Sequence, residues 1–223
     1  MINVIDKYLT MTIQTKELFP TTIFEFYNSD LDFSDICNKL DKENWAEHTA
    51  LSSKDNLHVK TKYSKVFTWI DACLEQVRQH QQYDCDKLSI SSSWANKNLA
   101  GEKMYHQPHR HSMSFYSGIL YLTHGSPTVL EDCVTPRVQA QIEVLRHDYA
   151  PFEHIMPEPG KLVLFPSFIY HSSGLHYEDY DRYNISFNVL PSGKINYNLA
   201  TDSIAVLDVS AKTQREFKYS DDI

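Results

Sequence analysis

The sequence predicts a mainly β fold of the sandwich or barrel type, with a shorter helical part in front of it. Three observations carry this. From residue 85 onward, β-branched and aromatic residues fall into short runs separated by turn-forming residues. No helical periodicity separates these runs, which argues against alternating strand and helix units. Within 138–145, Val138, Ala140, Ile142 and Val144 alternate with polar residues, the period-two pattern of a half-buried strand.

Residues 1–17 are mixed in character and are set aside as a lead-in segment. The run 18–27, LFPTTIFEFY, supplies β-branched and aromatic residues around Pro20, as an edge strand does. Phe33, Ile36, Cys37 and Leu40 then recur at the offsets of an amphipathic helix spanning roughly 33–43. A second helix is predicted over 64–80, where Val66, Ile70, Cys73 and Val77 form one apolar stripe, widened by Phe67 and Leu74, and Ser64 stands where a cap is expected. Strands follow at 87–96, 115–123, 128–132, 138–145, 161–166, 183–191 and, more weakly patterned, 195–199. Turn residues at 125–127, 157–160 and 191–193 punctuate them. One domain over 18–210 is expected, with 18–86 as its strand and helices, 87–200 as its β core, and 211–223 as a polar tail.

Composition narrows the function classes. A net charge of −8 gives no basic face for phosphates or anionic lipid, so neither nucleic acid nor a membrane is expected as a partner. No apolar run reaches the roughly 18–20 residues of a spanning helix, and the first residues lack the pattern of a signal peptide. Cys37, Cys73, Cys85 and Cys133 are scattered without metal or redox spacing, as for reduced thiols. A soluble, cytoplasmic protein is expected, in a host cytoplasm if the chain is viral.

Eleven histidines stand in 223 residues, and three of them, His106, His109 and His111, fall within MYHQPHRH at 104–111. Imidazole is the commonest protein ligand for iron, copper, nickel and zinc. In extended chain, residues two apart share a face, so His109 and His111 can converge while His106 points elsewhere. A third ligand must come from a distant segment, and His171, at the end of the apolar run KLVLFPSFIYH, is the strongest candidate.

The ordered set SSSWANKNLAGEKMYHQPHRH, SFYSGILYL, PGKLVLFPSFIYH and RYNISFNV, covering roughly residues 90–190, resembles the 2OG-Fe(II) oxygenases, and within them a branch found in marine bacteria and their phages. The opening LFPTTIF is similar to the start of that family. The resemblance implies a double-stranded β-helix, or jelly-roll, braced by the two N-terminal helices. It implies Fe(II) and 2-oxoglutarate as cofactors, with O2 and an unidentified small-molecule or peptidyl substrate as partners, and a homodimer as one option. It places His109, His111 and His171 on the iron ligands, and Arg182, eleven residues after His171, on the arginine that grips the far carboxylate of 2-oxoglutarate. Tyr121 matches a tyrosine bonded to the same carboxylate. Ser186 shares a strand face with Arg182, and Asn96 with Trp94 is a candidate wall of the cosubstrate pocket. A planar guanidinium forks onto a carboxylate, which suits Arg182 to its implied role.

One position departs from the family pattern. The superfamily uses two histidines and a carboxylate, and His111 stands where the carboxylate is expected. Either the triad is all histidine, or Glu131 or Asp132 supplies the third ligand. His106 is expected beside the site or at its rim. His124, His147, His154 and His176 are expected in turns or on the surface, and Tyr105, Tyr116 and Tyr170 flank the site as packing or as substrate contacts. Other classes fit the same residues: a cupin-like non-oxidative metalloenzyme, a jelly-roll binding module without metal, or a structural protein of a virion.

Overall fold

The computed structural model describes residues 20–47, 50–132, 151–198 and 203–209. Their elements run β1 (Phe24–Tyr27), α1 (Phe33–Leu40), β2 (Trp45–Glu47), β3 (Leu51–Ser53), α2 (Ser64–Gln81), β4 (Cys85–Asn98), β5 (Tyr116–Tyr121), β6 (Thr128–Glu131), β7 (Phe152–Ile155), β8 (Lys161–Pro166), β9 (Tyr170–Ser173), β10 (Arg182–Ile195) and β11 (Ile204–Leu207). Strands form an antiparallel sheet in the order β1-β8-β5-β10-β4-β3-β2, with β11 on β10, and a second sheet in the order β7-β6-β9. From β5 to β10 the chain passes back and forth between the two sheets, which makes the fold a double-stranded β-helix.

The axis of the large sheet is the pairing of β4 with β10, two strands of 14 residues each. Its two faces have different chemistry because side chains alternate along a strand. One face carries Leu120, Leu162, Leu164, Ile185, Phe187 and Val189 into a core shared with Ile36 and Leu40 of α1 and Val66, Ile70, Leu74 and Val77 of α2. The other face carries Ile119, Tyr121, Val163 and Phe165 against Leu130 and Ile155 of the small sheet. It also carries Asn96, Arg182, Asn184 and Ser186, and these line a cavity between the sheets. β5 is buried along its whole length because it has a packed layer on either side.

Gly118 lies opposite Phe187 in the large sheet. A β-carbon there would run into the Phe187 ring, which would have to shift. Gly118→Ala is expected to destabilise by about 1–3 kcal/mol through overpacking. Thermal unfolding of the two proteins checks this, and an unchanged midpoint would show that the Phe187 ring has room to move.

Both helices form where the apolar spacing predicts them. Asp32 caps α1, its side chain accepting from the Asp35 amide at 2.9 Å, and Lys39 pairs with Asp35 one turn away. Ser64 is the first residue of α2 and makes no cap; Tyr63 precedes it, held by burial and by donating its hydroxyl to Glu43. The expected strand over 138–145 lies outside the described residues. Of the expected strand 195–199, residue 199 lies outside the described residues, and within 195–198 only Ile195 belongs to a strand, as the last residue of β10. Here Asp84 draws the chain into a turn by accepting from the Asn198 amide. The short strands β2, β3, β7, β9 and β11 carry too few residues for alternation to stand out; pairing with longer neighbours makes them strands.

Candidate metal and cosubstrate site

The loop 104–115 lies along β9 without becoming a regular strand. His109 and His171 pair through both backbone bonds, at 2.9 and 2.8 Å, and the His111 amide donates to the Ser167 carbonyl at 3.2 Å. This lacing brings a local pair of histidines to a third one 60 residues away in the chain. Ring centroids of His109 and His171 lie 4.3 Å apart, and His111 lies 5.1 Å from each. One nitrogen from each of the three falls within 4.8 Å of the others, the convergence a single metal ion requires.

The rings are oriented for that purpose. Nδ1 of His109 lies 2.7 Å from the Gln107 carbonyl and Nδ1 of His171 lies 3.1 Å from the Ile169 carbonyl. A carbonyl only accepts, so each ring carries its hydrogen on Nδ1 and offers Nε2 as the ligand atom. Burial, aided by the neighbouring His109, pulls the pKa of His171 down to about 3, which keeps the imidazole neutral and available to a metal. The donor set therefore fits a transition metal that accepts nitrogen ligands.

Among the described residues, no carboxylate joins this group. Glu131 is in register with Tyr170 and Phe152, one position off the row that holds Leu130 and His171, so its side chain leaves the opposite face of the small sheet. Asp132 follows the strand and uses its amide on the Pro151 carbonyl. The cluster is all histidine, with no anionic ligand from these two acids.

Arg182 stands in the wall of the cavity that holds the three histidines. Arg182 is 1% exposed. Its Nε donates to the Ser126 carbonyl at 3.1 Å and its Nη1 reaches Asn98 Oδ1 at 3.4 Å, and among the described residues no carboxylate pairs with it. Burial lowers its pKa below the usual guanidinium value, although Tyr121 and Glu178 favour the charge. A buried cation without a counter-charge is costly, and an anionic ligand removes that cost. Gly125 makes room for it: a β-carbon at this glycine, whose φ is +133°, would lie 3.0 Å from the arginine stem.

The remaining predicted residues are placed as follows. Asn96 Nδ2 donates to Asn184 Oδ1 and Ser186 Oγ, both at 3.0 Å, and all three line the cavity. Asn184, which sequence reasoning passed over, is two residues from Arg182 on the same strand face, a spacing that could have found it. Tyr121 is fully buried and donates its hydroxyl to Thr128 Oγ1 at 2.6 Å; its ring lies 5.9 Å from the Arg182 guanidinium. Thr128 is the member of this pair in the cavity wall. Trp94 lines the wall with its ring 5.5 Å from His111.

One histidine expectation changes. His176 is not a surface residue: it is wholly buried, with Nε2 2.6 Å from the Tyr180 carbonyl, where it ties down the loop before β10. His106 lines the cavity wall, and burial, followed by Arg182 and His109, lowers its pKa to about 4. Tyr170 lies under the Arg110 guanidinium on the outside of the small sheet, Tyr116 packs in the helix-side core, and neither lines the cavity.

Comparisons with known proteins bear on the fold and on the family. No curated protein sequence matches. Among solved structures, the chain is similar to the non-heme alpha ketoglutarate dependent epimerase SnoN from nogalamycin biosynthesis, with 11% identity, a TM-score of 0.58, and coverage of 81% of this chain and 83% of that one. HygX from Streptomyces hygroscopicus, solved with nickel and 2-oxoglutarate bound, gives 10% identity and a TM-score of 0.54 over 85% of this chain and 93% of that one. A Pseudomonas putida prolyl-4-hydroxylase gives 13% identity and a TM-score of 0.54 over 85% and 98%. At such identities the likeness is one of fold. The sequence itself matches the family model described as "Putative 2OG-Fe(II) oxygenase" over residues 92–188. That stretch contains the three clustered histidines, Tyr121, Arg182 and Ser186, and over it the chain is similar to the 2OG-Fe(II) oxygenases, a family named for its two cofactors.

Proposed function

We propose that the protein is an Fe(II)- and 2-oxoglutarate-dependent oxygenase that hydroxylates an unidentified substrate and releases succinate and CO2. The observation that carries this reading is one cavity holding both a three-histidine cluster and a buried arginine that has no anionic partner among the described residues. His109, His111 and His171 would hold the metal, and Arg182 the far carboxylate of 2-oxoglutarate. Asn96, Asn184, Ser186 and Thr128 supply neutral hydrogen-bonding groups along the wall between them. With both cofactors bound, the site supplies oxidative decarboxylation of the keto acid, one atom of O2 entering succinate and the other a substrate C–H bond. The protein's own contribution is to hold three ligands on one side of the metal, to orient the keto acid by its distal charge, and to limit access of water.

Three neutral ligands leave the ferrous centre one positive charge richer than a triad with a carboxylate, which favours an anionic chelator. A cupin-like, non-oxidative site has no use for Arg182, and an inert binding or structural module has no use for the oriented imidazoles. Anaerobic titration of the Fe(II)-loaded protein with 2-oxoglutarate is expected to produce the charge-transfer absorption of an iron-bound keto acid. Under air, succinate is expected to form. A protein that binds Fe(II) stoichiometrically yet shows neither response would fit the cupin-like reading instead.

A further inference from the structure

Among the buried side-chain atoms without a hydrogen-bond partner, three belong to residues around the guanidinium end of the cavity: His106 Nε2, Asn98 Nδ2 and Ser126 Oγ. Asn98 gives its Oδ1 to Arg182, and Ser126 gives Arg182 its backbone carbonyl. Buried polar atoms are almost always paired, so three orphans beside one unpaired cation ask for a ligand.

His106 is the most informative of them because, among the described residues, its ring has a polar contact at Nδ1 and none at Nε2. The Ser173 hydroxyl oxygen accepts from the His106 amide at 2.7 Å, and the His106 carbonyl accepts from the Ser173 amide at 3.1 Å. The same hydroxyl lies 3.5 Å from His106 Nδ1, a long contact in which either group can donate, and the hydroxyl has its own hydrogen to give. An imidazole that accepts at Nδ1 carries its hydrogen on Nε2. In that tautomer the Nε2–H is in the cavity wall, with no acceptor among the described residues. The amide of Asn98 is oriented in the same sense: with Oδ1 used by Arg182, its remaining capacity is donation from Nδ2. Arginine, imidazole N–H and amide N–H together present donors, and the Ser126 hydroxyl can donate beside them.

We infer that His106 is a specificity-determining residue of the cosubstrate site, its Nε2–H donating to the distal carboxylate held by Arg182, so that a dicarboxylic keto acid is selected over a monocarboxylic one. This rests on the 2-oxoglutarate reading and adds to it a residue that the motif correspondence leaves without a role. A keto acid lacking the second carboxylate leaves both Arg182 and His106 unpaired in a buried site. Sites built to hydrogen-bond a group discriminate strongly against analogues that lack it.

The test compares 2-oxoglutarate with 2-oxopentanoate, which has the same carbon chain without the distal carboxylate, as ligands of the anaerobic Fe(II) protein. The wild-type protein is expected to prefer 2-oxoglutarate. His106→Leu is expected to lose about 10- to 100-fold in 2-oxoglutarate affinity, the effect of one hydrogen bond to a charged group, with 2-oxopentanoate affinity and iron content unchanged. His106→Gln, which retains an N–H donor, is expected to recover most of that loss. Equal losses for both keto acids, an unaltered 2-oxoglutarate affinity in the leucine variant, or no recovery with glutamine would each overturn the assignment. If the leucine variant does not fold, Ser173→Ala decides between the outcomes: with the ring hydrogen no longer fixed on Nε2, 2-oxoglutarate affinity falls and 2-oxopentanoate affinity does not. A wild-type protein that binds neither keto acid would instead sink the 2-oxoglutarate reading from which this one starts.

Discussion

His171→Ala is expected to yield protein without iron. His171 is the most buried of the three clustered histidines and packs its ring 4.8 Å from that of Phe165, so it is the ligand least free to be replaced by a neighbour. Losing an outer-shell partner of a metal ligand typically costs roughly 10–100-fold in affinity, and losing a ligand outright costs more. The backbone is unaffected, because the bonds joining residue 171 to His109 are amide to carbonyl. Metal analysis after reconstitution with Fe(II), beside circular dichroism for the fold, checks this. Iron retained at the wild-type ratio in a folded His171→Ala protein would remove the cluster from the metal site.

Legibility in the sequence is uneven along the chain. α1 and α2 are legible because eight or more residues repeat one apolar stripe, and β4, β5, β8 and β10 because several β-formers stand together. β9 is invisible as a strand: Tyr170–Ser173 pairs with β6 on one side and the loop at His109 on the other, and nothing local in Tyr-His-Ser-Ser records either partner. The site shows the same division. His109 and His111 are found from spacing, but their convergence with His171 depends on backbone bonds between segments 60 residues apart. His106 illustrates the limit most clearly. Its distance from His109 in sequence makes it an outsider to the triad, whereas its Ser173 partner and its place in the cavity wall appear only once β9 is folded alongside it. Register bears on the question raised by His111: Glu131 faces the other side of its strand, and among the described residues the cluster is three histidines.

Arg182→Met separates function from stability. In the protein without its ligand, Arg182 is a buried cation whose described partners are a backbone carbonyl, a side-chain amide and a ring face, none of them charged. Replacing such a group by an apolar side chain of similar length is often neutral or stabilising by about 1–4 kcal/mol, whereas removing one member of a buried ion pair costs about 3–5 kcal/mol. The ligand-free variant should therefore melt at or above the wild-type temperature. Its affinity for 2-oxoglutarate should fall roughly 100- to 1,000-fold or more, since each factor of ten corresponds to about 1.4 kcal/mol. Iron content should not change, because the three histidines stand on the loop and β9 and not on β10. The rise in melting temperature that 2-oxoglutarate gives the iron-loaded wild type should disappear at the same ligand concentration, as mass action requires when binding is lost. A variant that melts lower and still binds 2-oxoglutarate tightly would mean that Arg182 is a packing residue. The opposite pair of results would show that the fold keeps a destabilising charge for the sake of its ligand.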